Sequence, residues 1–189
     1  IKLVGAKGEE HPFVNMFIGA NGTTKTATGV NVLLNLIYGP QNKYFEYPLY
    51  YNFPYIKRAR IISDPTTLKE KIVPEIKKWF PKNDSAQIPE AFFEERKEGK
   101  LYTAKILTNN GWTIDLMSTE QDVKEFESVD LGFVWIDEPM PRDRFNATIF
   151  RGRSGMIIVW PYTPLFHAGW IKDWMDDHAD GKYADYVEA

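Results

Sequence analysis

Residues 19–26 have the types and spacing of a loop that binds phosphate. The segment reads GANGTTKT and lies between an apolar run and a stretch with buried-helix apolar content. N–H groups at a helix N-terminus bind anions, a lysine reaches the β- and γ-phosphates, and the next hydroxyl ligates Mg²⁺. Lys25 is therefore predicted to bind phosphate and Thr26 to bind Mg²⁺. The predicted nucleotide contacts are Gly19, Asn21, Gly22, Thr23, Thr24, Lys25, Thr26 and Ala27.

The match to the P-loop pattern GxxxxGK[ST] is incomplete, because Thr24 stands where glycine is usual. Glycine allows the backbone to approach a phosphate closely. Either Thr24 tolerates the turn or Gly22 supplies the flexibility. The alternative is an ordinary strand-to-helix turn with a solvated lysine.

A pair of acids forms the second candidate site. Asp137 and Glu138 follow the apolar run LGFVWI at 131–136. An acid at such a strand end holds Mg²⁺ in P-loop enzymes, and a neighbouring glutamate can orient and deprotonate water. We expect Asp137 to ligate the metal and Glu138 to act as the catalytic base. Two adjacent acids at a strand end also occur by chance.

Thr163 and four arginines complete the set of candidates. Thr163 follows the apolar run 156–160, and ligands in open α/β sheets bind beyond the carboxyl ends of the strands, so Thr163 is predicted to contact the γ-phosphate of the nucleotide or the attacking water. The alternative is a proline-bracketed turn that ends the strand. Among Arg142, Arg144, Arg151 and Arg153, the sequence favours Arg151 as an arginine finger.

Strands alternate with helices along the chain, which predicts an α/β fold. The predicted strands are 13–20, 58–63, 101–108, 112–118, 131–136 and 156–160, and Asn109-Asn110-Gly111 predicts a hairpin. The predicted helices are 25–38, 64–80 with a break before Pro74, 120–127, 142–150 and 170–178, with a polar connection over 81–98.

The aromatic segment 44–55 has two interpretations. With Lys43, Lys57, Arg58 and Arg60 beside it, the segment could stack bases of a nucleic-acid strand, and it could also stack adenine. The favoured alternative is a loop that packs on the core through its own aromatic rings.

Composition limits the classes of function. The chain has 189 residues, 43% of them hydrophobic, a formal net charge of −3 and no cysteine. This predicts one domain over 1–189 without disulfides or thiolate metal sites. The balance of charge gives no sign of a general nucleic-acid or membrane binder.

Four segments together resemble the ATPase domain of the large terminase subunit of tailed bacteriophages, the motor that packages DNA. They are IGANGTTKT (18–26), RARIISDPTTLKEKIVPEIKKW (58–79), STEQDVKEFESVDLGFVWIDEPMP (118–141) and GMIIVWPYTPL (155–165). The resemblance implies a P-loop NTPase fold of the ASCE type, with a mostly parallel central sheet, flanking helices and added antiparallel strands.

The same resemblance implies roles and partners. Lys25 and Thr26 would form the Walker A pair, Asp137 and Glu138 the Walker B acid and catalytic glutamate, and Thr163 part of the coupling motif. ATP and Mg²⁺ would be the cofactors. The partners would be double-stranded DNA, the portal protein, the small terminase subunit and further copies in a ring on the procapsid, in the host cytoplasm and away from any membrane. The family's nuclease domain is expected to be absent.

Three alternatives remain at this point. One is a helicase-like translocase with the same ATPase core. Another is a degenerate P-loop scaffold, which the Thr24 substitution keeps open. A small-molecule kinase is disfavoured, because no signature of an acceptor site follows the P-loop.

Overall fold

A computed structural model describes residues 14–19, 24–39, 49, 52–80, 104–108, 110–163, 169–178 and 184–188. The strands are β1 (Val14–Ile18), β2 (Arg58–Ser63), β3 (Ala104–Leu107), β4 (Thr113–Ser118), β5 (Phe133–Ile136), β6 (Ile157–Tyr162) and β7 (Ala184–Glu188). The helices are α1 (Lys25–Tyr38), α2 (Pro65–Thr67), α3 (Val73–Trp79), α4 (Val123–Phe126), α5 (Arg142–Ile149) and α6 (Gly169–His178).

These strands form one sheet in the order β3-β4-β2-β5-β6-β1-β7. Strand β3 pairs with β4 in antiparallel orientation, and all the other pairs are parallel. β6 lies between β1, which leads towards the predicted phosphate loop, and β5, which ends in the acids. This order confirms the predicted α/β fold, a mostly parallel sheet with an added antiparallel strand.

Helices cover both faces of the sheet, as expected when most strands are parallel. One face packs against α1 and α3 in a core that contains Leu33, Ile76 and Trp135. The other face packs against α4, α5 and α6, where Phe145 lies 5.0 Å from Trp160 between ring centroids. The core therefore fixes the helix that follows the predicted phosphate loop to the strand that ends in the acids.

The predicted hairpin is confirmed, and its turn is tied to the core. Gly111 has a φ of 89°, which glycine adopts without steric cost. The Asn110 side chain donates to the Ile37 carbonyl over 2.6 Å. The turn therefore joins β3 and β4 and also contacts the end of α1.

The break predicted before Pro74 does not occur. A π-helical turn, Leu68–Ile72, continues directly into α3, and the Val73 N–H donates to the Leu68 carbonyl. Proline has no N–H and disturbs the preceding turn of an α-helix. The wider turn accommodates Pro74 without ending the helical segment.

Strand β6 runs to Tyr162, two residues beyond the predicted end at 160. The Pro161 carbonyl faces the β5 side, where it accepts from the Glu138 N–H at 3.4 Å. A residue's N–H and C=O point to the same side of a strand, and β5 has already ended there. The missing proline N–H therefore breaks no ladder bond.

Strand β7 was not predicted. It pairs in parallel with β1 over its full length, from Val14↔Ala184 to Ile18↔Glu188. A single short run such as ADYVE has no strong apolar periodicity, so its pairing with β1 decides its conformation.

The described part of the aromatic segment packs on the core, as the favoured interpretation expected. Phe53 lies 4.8 Å from Trp112 and 5.5 Å from Tyr55 between ring centroids. Residues 44–48 and 50–51 lie outside the described residues, as does the predicted connection 81–98. Within the described parts of the chain, no helix has the length and apolar character needed to cross a membrane.

Burial of Arg60 contradicts its part in the nucleic-acid interpretation, whereas the part of Arg58 stays a prediction. The Arg60 side chain is only 1% exposed, and its Nη1 donates to the Phe126 carbonyl over 2.9 Å. Arg58 forms an ion pair with Asp115 at 2.8 Å. Both guanidinium groups therefore serve contacts inside the domain.

Candidate active site

The carboxyl edge of the sheet brings the predicted site residues together. Strands β1, β5 and β6 are parallel and in register, so Gly19, Asp137 and Thr163 follow neighbouring strands at the same edge. The Gly19 N–H donates to the Tyr162 carbonyl over 3.0 Å. α1 begins at the same edge, with Thr24 as its N-cap. Segments far apart in sequence thus converge on one point.

Thr26 and Asp137 are in direct contact. The Thr26 hydroxyl lies 3.1 Å from Asp137 Oδ2, and the two residues are 111 positions apart in the chain. α1 reaches this position because Gly29 faces Trp135 of β5. A Cβ on Gly29 would overlap the indole ring of Trp135. The absence of a side chain at Gly29 lets the helix approach β5 closely.

Asp137 is a buried carboxylate with incomplete compensation. Its side chain is 3% exposed, and burial raises its pKa from the usual 3.8 to about 6. The Thr26 hydroxyl and the Lys25 ammonium oppose this increase, whereas the Glu138 carboxylate adds to it. A carboxylate in such a position gains from a cation that replaces its lost hydration.

The backbone at Glu138 is held in an unusual conformation. Its φ of 73° lies in the left-handed region, which costs a non-glycine residue about 1–2 kcal/mol. β6 fixes it from both sides: the Glu138 N–H donates to the Pro161 carbonyl at 3.4 Å, and the Trp160 indole N–H donates to the Glu138 carbonyl at 3.1 Å. Strained residues that their surroundings fix in this way cluster at functional sites.

Thr163 contacts the Glu138 side chain. Its hydroxyl donates to Glu138 Oε1 at 3.3 Å, whereas Oε2 is buried without a hydrogen-bond partner among the described residues. The prediction placed Thr163 near the phosphate or the water. The structure brings it to the predicted catalytic base, so the strand tip is in contact with the acid pair.

Lys25 and Thr24 define the entry to α1. Lys25 Nζ donates to the Gly19 carbonyl over 3.4 Å, so its side chain bridges the two ends of the predicted phosphate loop. Thr24 has a φ of −59° and a ψ of 37°. Its φ is negative, so Thr24 does not use the left-handed region that favours glycine. Asn21, Gly22 and Thr23 lie outside the described residues.

Arg151 is not brought to this site within the chain. Its carbonyl accepts from the Leu131 N–H at 2.9 Å, before β5 begins, whereas Asp137 follows the end of β5. At about 3.3 Å per residue, this separates Arg151 from the acid pair by about 20 Å. Arg151 Nη1 donates to the Glu127 carbonyl at 2.9 Å. Its role as a finger, in this subunit or a neighbouring one, stays a prediction.

The other three arginines are placed differently. Arg144 donates to the Gln121 carbonyl at 3.1 Å, and Arg153 pairs with Asp130 at 3.5 Å. Arg142 is exposed at the start of α5, which follows the acid pair in the chain. Of the four arginines, Arg142 is therefore the one that is closest in sequence to the acid pair.

Ser63 lies next to the acid pair, at a position that the sequence reasoning did not select. It is the last residue of β2, where Ile62 pairs with Ile136, so it lies beside Asp137. Its side chain is fully buried, and its hydroxyl has no hydrogen-bond partner within the described chain. The rule that ligands bind beyond strand ends pointed to this position as well. A lone serine carries no motif, so only the strand order identifies it.

The residues present fit a magnesium ion with bound nucleotide. Mg²⁺ takes hard oxygen ligands, keeps several waters, and is held by one or two protein groups together with substrate phosphates. Thr26 Oγ1 and Asp137 Oδ2 are two such oxygens, already 3.1 Å apart. Burial raises the pKa of Asp137, and a cation beside this carboxylate would oppose that increase.

Comparisons with known proteins support the fold. No protein-family model matches the chain, and no curated protein matches its sequence. Among solved structures, the chain resembles the large terminase from a thermophilic bacteriophage, with a TM-score of 0.63 at 12% identity. The likeness covers 95% of this chain and 40% of that one. The chain thus has a terminase ATPase-like fold and spans less than half the length of that protein.

Proposed function

We propose that this chain is the ATP-hydrolysing motor domain of a DNA-packaging terminase. The contact between the Thr26 hydroxyl and Asp137 carries the proposal. It joins the two motifs that a P-loop ATPase needs, at the N-terminus of a helix and with Lys25 beside it. The likeness in fold to a bacteriophage large terminase supports the more specific assignment.

The proposed roles follow from the positions of the side chains. Lys25 and the amides at the start of α1 bind the phosphates of ATP, and Thr26 and Asp137 hold Mg²⁺. The ion, when bound, neutralises charge on the phosphate oxygens. Glu138 orients and deprotonates the attacking water, and the Thr163 hydroxyl positions its carboxylate.

The proposed partners follow from the same assignment. The domain acts on double-stranded DNA, in a ring with further copies of itself and with the portal protein and the small terminase subunit, at the procapsid in the host cytoplasm. In this ring Arg151 is the proposed finger for the site of a neighbouring subunit, since this chain does not bring it to its own acids.

The test is phosphate release from Mg·ATP over a range of protein concentrations, with Glu138→Gln as the blank. Release that rises more steeply than the concentration supports a site completed by a neighbour. Linear release supports a self-sufficient site and argues against the ring. Double-stranded DNA should stimulate release, whereas stimulation by single-stranded DNA alone would favour a helicase-like translocase.

A further inference from the structure

The hydroxyl group of Ser63 is buried at the carboxyl end of β2. The residue is fully buried, and its hydroxyl has no hydrogen-bond partner among the described residues. A buried polar group without a partner costs free energy, because it has given up its hydrogen bonds to water. Such a group is accounted for when another state of the molecule brings it an acceptor.

The register of the sheet places Ser63 directly beside Asp137. Ile62 of β2 pairs with Ile136 of β5. The Asp137 N–H donates to the Ile62 carbonyl over 2.8 Å, so the ladder between the two strands continues past Ile136. Neighbouring strands lie about 4.8 Å apart. Ser63 and Asp137 are therefore neighbours across that spacing.

The side chains of Ser63 and Asp137 lie on the same face of the sheet. Successive side chains of a strand alternate between the faces. Two residues earlier, Ile61 and Trp135 pack in the core that contains α1. Thr26 of α1 contacts Asp137 on that face, at 3.1 Å. The Ser63 hydroxyl can therefore reach the Asp137 carboxylate by rotation about its Cα–Cβ bond.

We propose that Ser63 is a positioning residue, whose hydroxyl donates to the Asp137 carboxylate and holds it in the orientation that binds Mg²⁺. The proposal rests on the proposed function, because it assumes that Asp137 is a metal ligand. A carboxylate has about four lone-pair positions, so it can accept from a hydroxyl and still bind a cation. Hydrogen bonds to the ligands of a metal typically change its affinity by about 10- to 100-fold.

Ser118 offers a matched control in the same row of residues. It pairs with Ser63, so it lies one strand further from Asp137. It is also buried at a strand end, but its hydroxyl accepts from the Glu120 N–H at 3.1 Å. The two serines thus share burial and position in the strand, and they differ in their distance from the acid.

The experiment measures the binding of ADP by calorimetry, once with Mg²⁺ and once with EDTA. Mg²⁺ should tighten the binding of ADP to the wild type by at least about 10-fold, and Ser63→Ala should reduce this gain by about 10-fold. The affinity for ADP in EDTA should stay within about 2-fold, because Ser63 acts only through the metal ligand. Ser63→Thr, which keeps the hydroxyl, and Ser118→Ala should both retain the gain.

Thermal unfolding of the nucleotide-free protein separates this role from a structural one. Ser63→Ala removes a buried hydroxyl without a partner, so its midpoint should be no lower than that of the wild type. A lower midpoint would assign the serine to the fold instead of the site. An unchanged gain from Mg²⁺ in Ser63→Ala, or equal losses with and without Mg²⁺, would overturn the positioning role and leave the proposed ATPase standing. A wild type that binds no ADP would overturn the proposed function, and one that binds it equally in Mg²⁺ and EDTA would overturn the proposed metal site.

Discussion

The two ends of the central strands contain buried charge of two kinds. Towards the amino end, Arg58, Arg60 and Asp115 form what we call the arginine cluster, in which Arg58 makes two bonds to Asp115 and Arg60 binds the Phe126 carbonyl. At the carboxyl end lies the acid pair: burial raises the pKa of Asp137, and Glu138 has the strained φ and a buried carboxylate oxygen without a partner among the described residues.

This difference distinguishes charges that stabilise the fold from charges that are proposed to act in catalysis. Burying a charge costs free energy unless partners replace its hydration. Carboxylate and backbone oxygens replace part of that hydration within the arginine cluster, although Arg60 Nε is buried without a partner among the described residues and burial lowers the pKa of Arg60 to about 10. At the acid pair, the proposed cation and substrate would supply such partners. Substitutions should therefore damage stability at one end and activity at the other.

Glu138→Gln should have the largest effect and should affect activity alone. Without a carboxylate to accept the proton of water, phosphate release should fall by about 10²- to 10⁴-fold. The glutamine retains the shape of the side chain and an acceptor for the Thr163 hydroxyl, so the midpoint of thermal unfolding should hardly move. Retained turnover would contradict the catalytic assignment.

Asp115→Ala should test the other end. It leaves Arg58 and the buried Arg60 without their carboxylate, which should lower the free energy of unfolding by about 3–5 kcal/mol. Urea unfolding measures the loss, and nucleotide affinity per folded molecule should stay constant. Asp143→Ala, which breaks the more exposed ion pair with Arg144, is the control and should cost less than about 1 kcal/mol.

Asp137→Asn should stabilise the nucleotide-free protein while abolishing turnover. A carboxylate with a pKa raised from 3.8 to about 6 binds its proton more tightly in the folded state, so its ionisation opposes folding. The free energy of unfolding of the wild type should therefore fall as the pH rises through this interval. At pH 8 and without Mg²⁺, the variant should gain about 1–3 kcal/mol.

The comparison of pH dependence checks that last prediction. The free energy of unfolding of the wild type should decrease between about pH 4 and pH 6, and that of Asp137→Asn should not. Asp173→Asn, at an exposed position on α6, should show the same decrease as the wild type. A destabilised Asp137→Asn at pH 8 would mean that the Thr26 contact outweighs the cost of burial.

Gly29→Ala should have the smallest effect, and it should change both the stability of the fold and the affinity of the site. Alanine normally favours a helix interior over glycine by about 1 kcal/mol. Here its Cβ would overlap the Trp135 ring, so thermal unfolding should report a loss of about 1–3 kcal/mol. To relieve this overlap, α1 would have to move away from β5. That movement would take Thr26 away from Asp137, so the apparent affinity for Mg²⁺ should also fall. Gly169→Ala, at an open position on α6, should show neither change.

Local pattern was sufficient for most elements. The apolar content of 25–38, the N-cap Asp64 and the Asn-Gly turn depend on neighbours a few residues apart, and each predicted element is present. The two failures at prolines have a different cause. A proline ends a strand or helix only where its missing N–H would have formed a hydrogen bond with a neighbouring segment. At Pro161 the neighbouring strand β5 has already ended, so no such bond is lost.

The sequence by itself determined which residues have the chemistry of a phosphate loop and an acid pair, and the order of their elements. Only the tertiary structure placed Thr26 beside Asp137, put Arg151 at the far edge and buried Arg60. It also set the pKa of Asp137 and the φ of Glu138. Periodicity and turn preference act over a few residues, whereas hydration, strain and contact depend on strands that the chain brings together from distant positions.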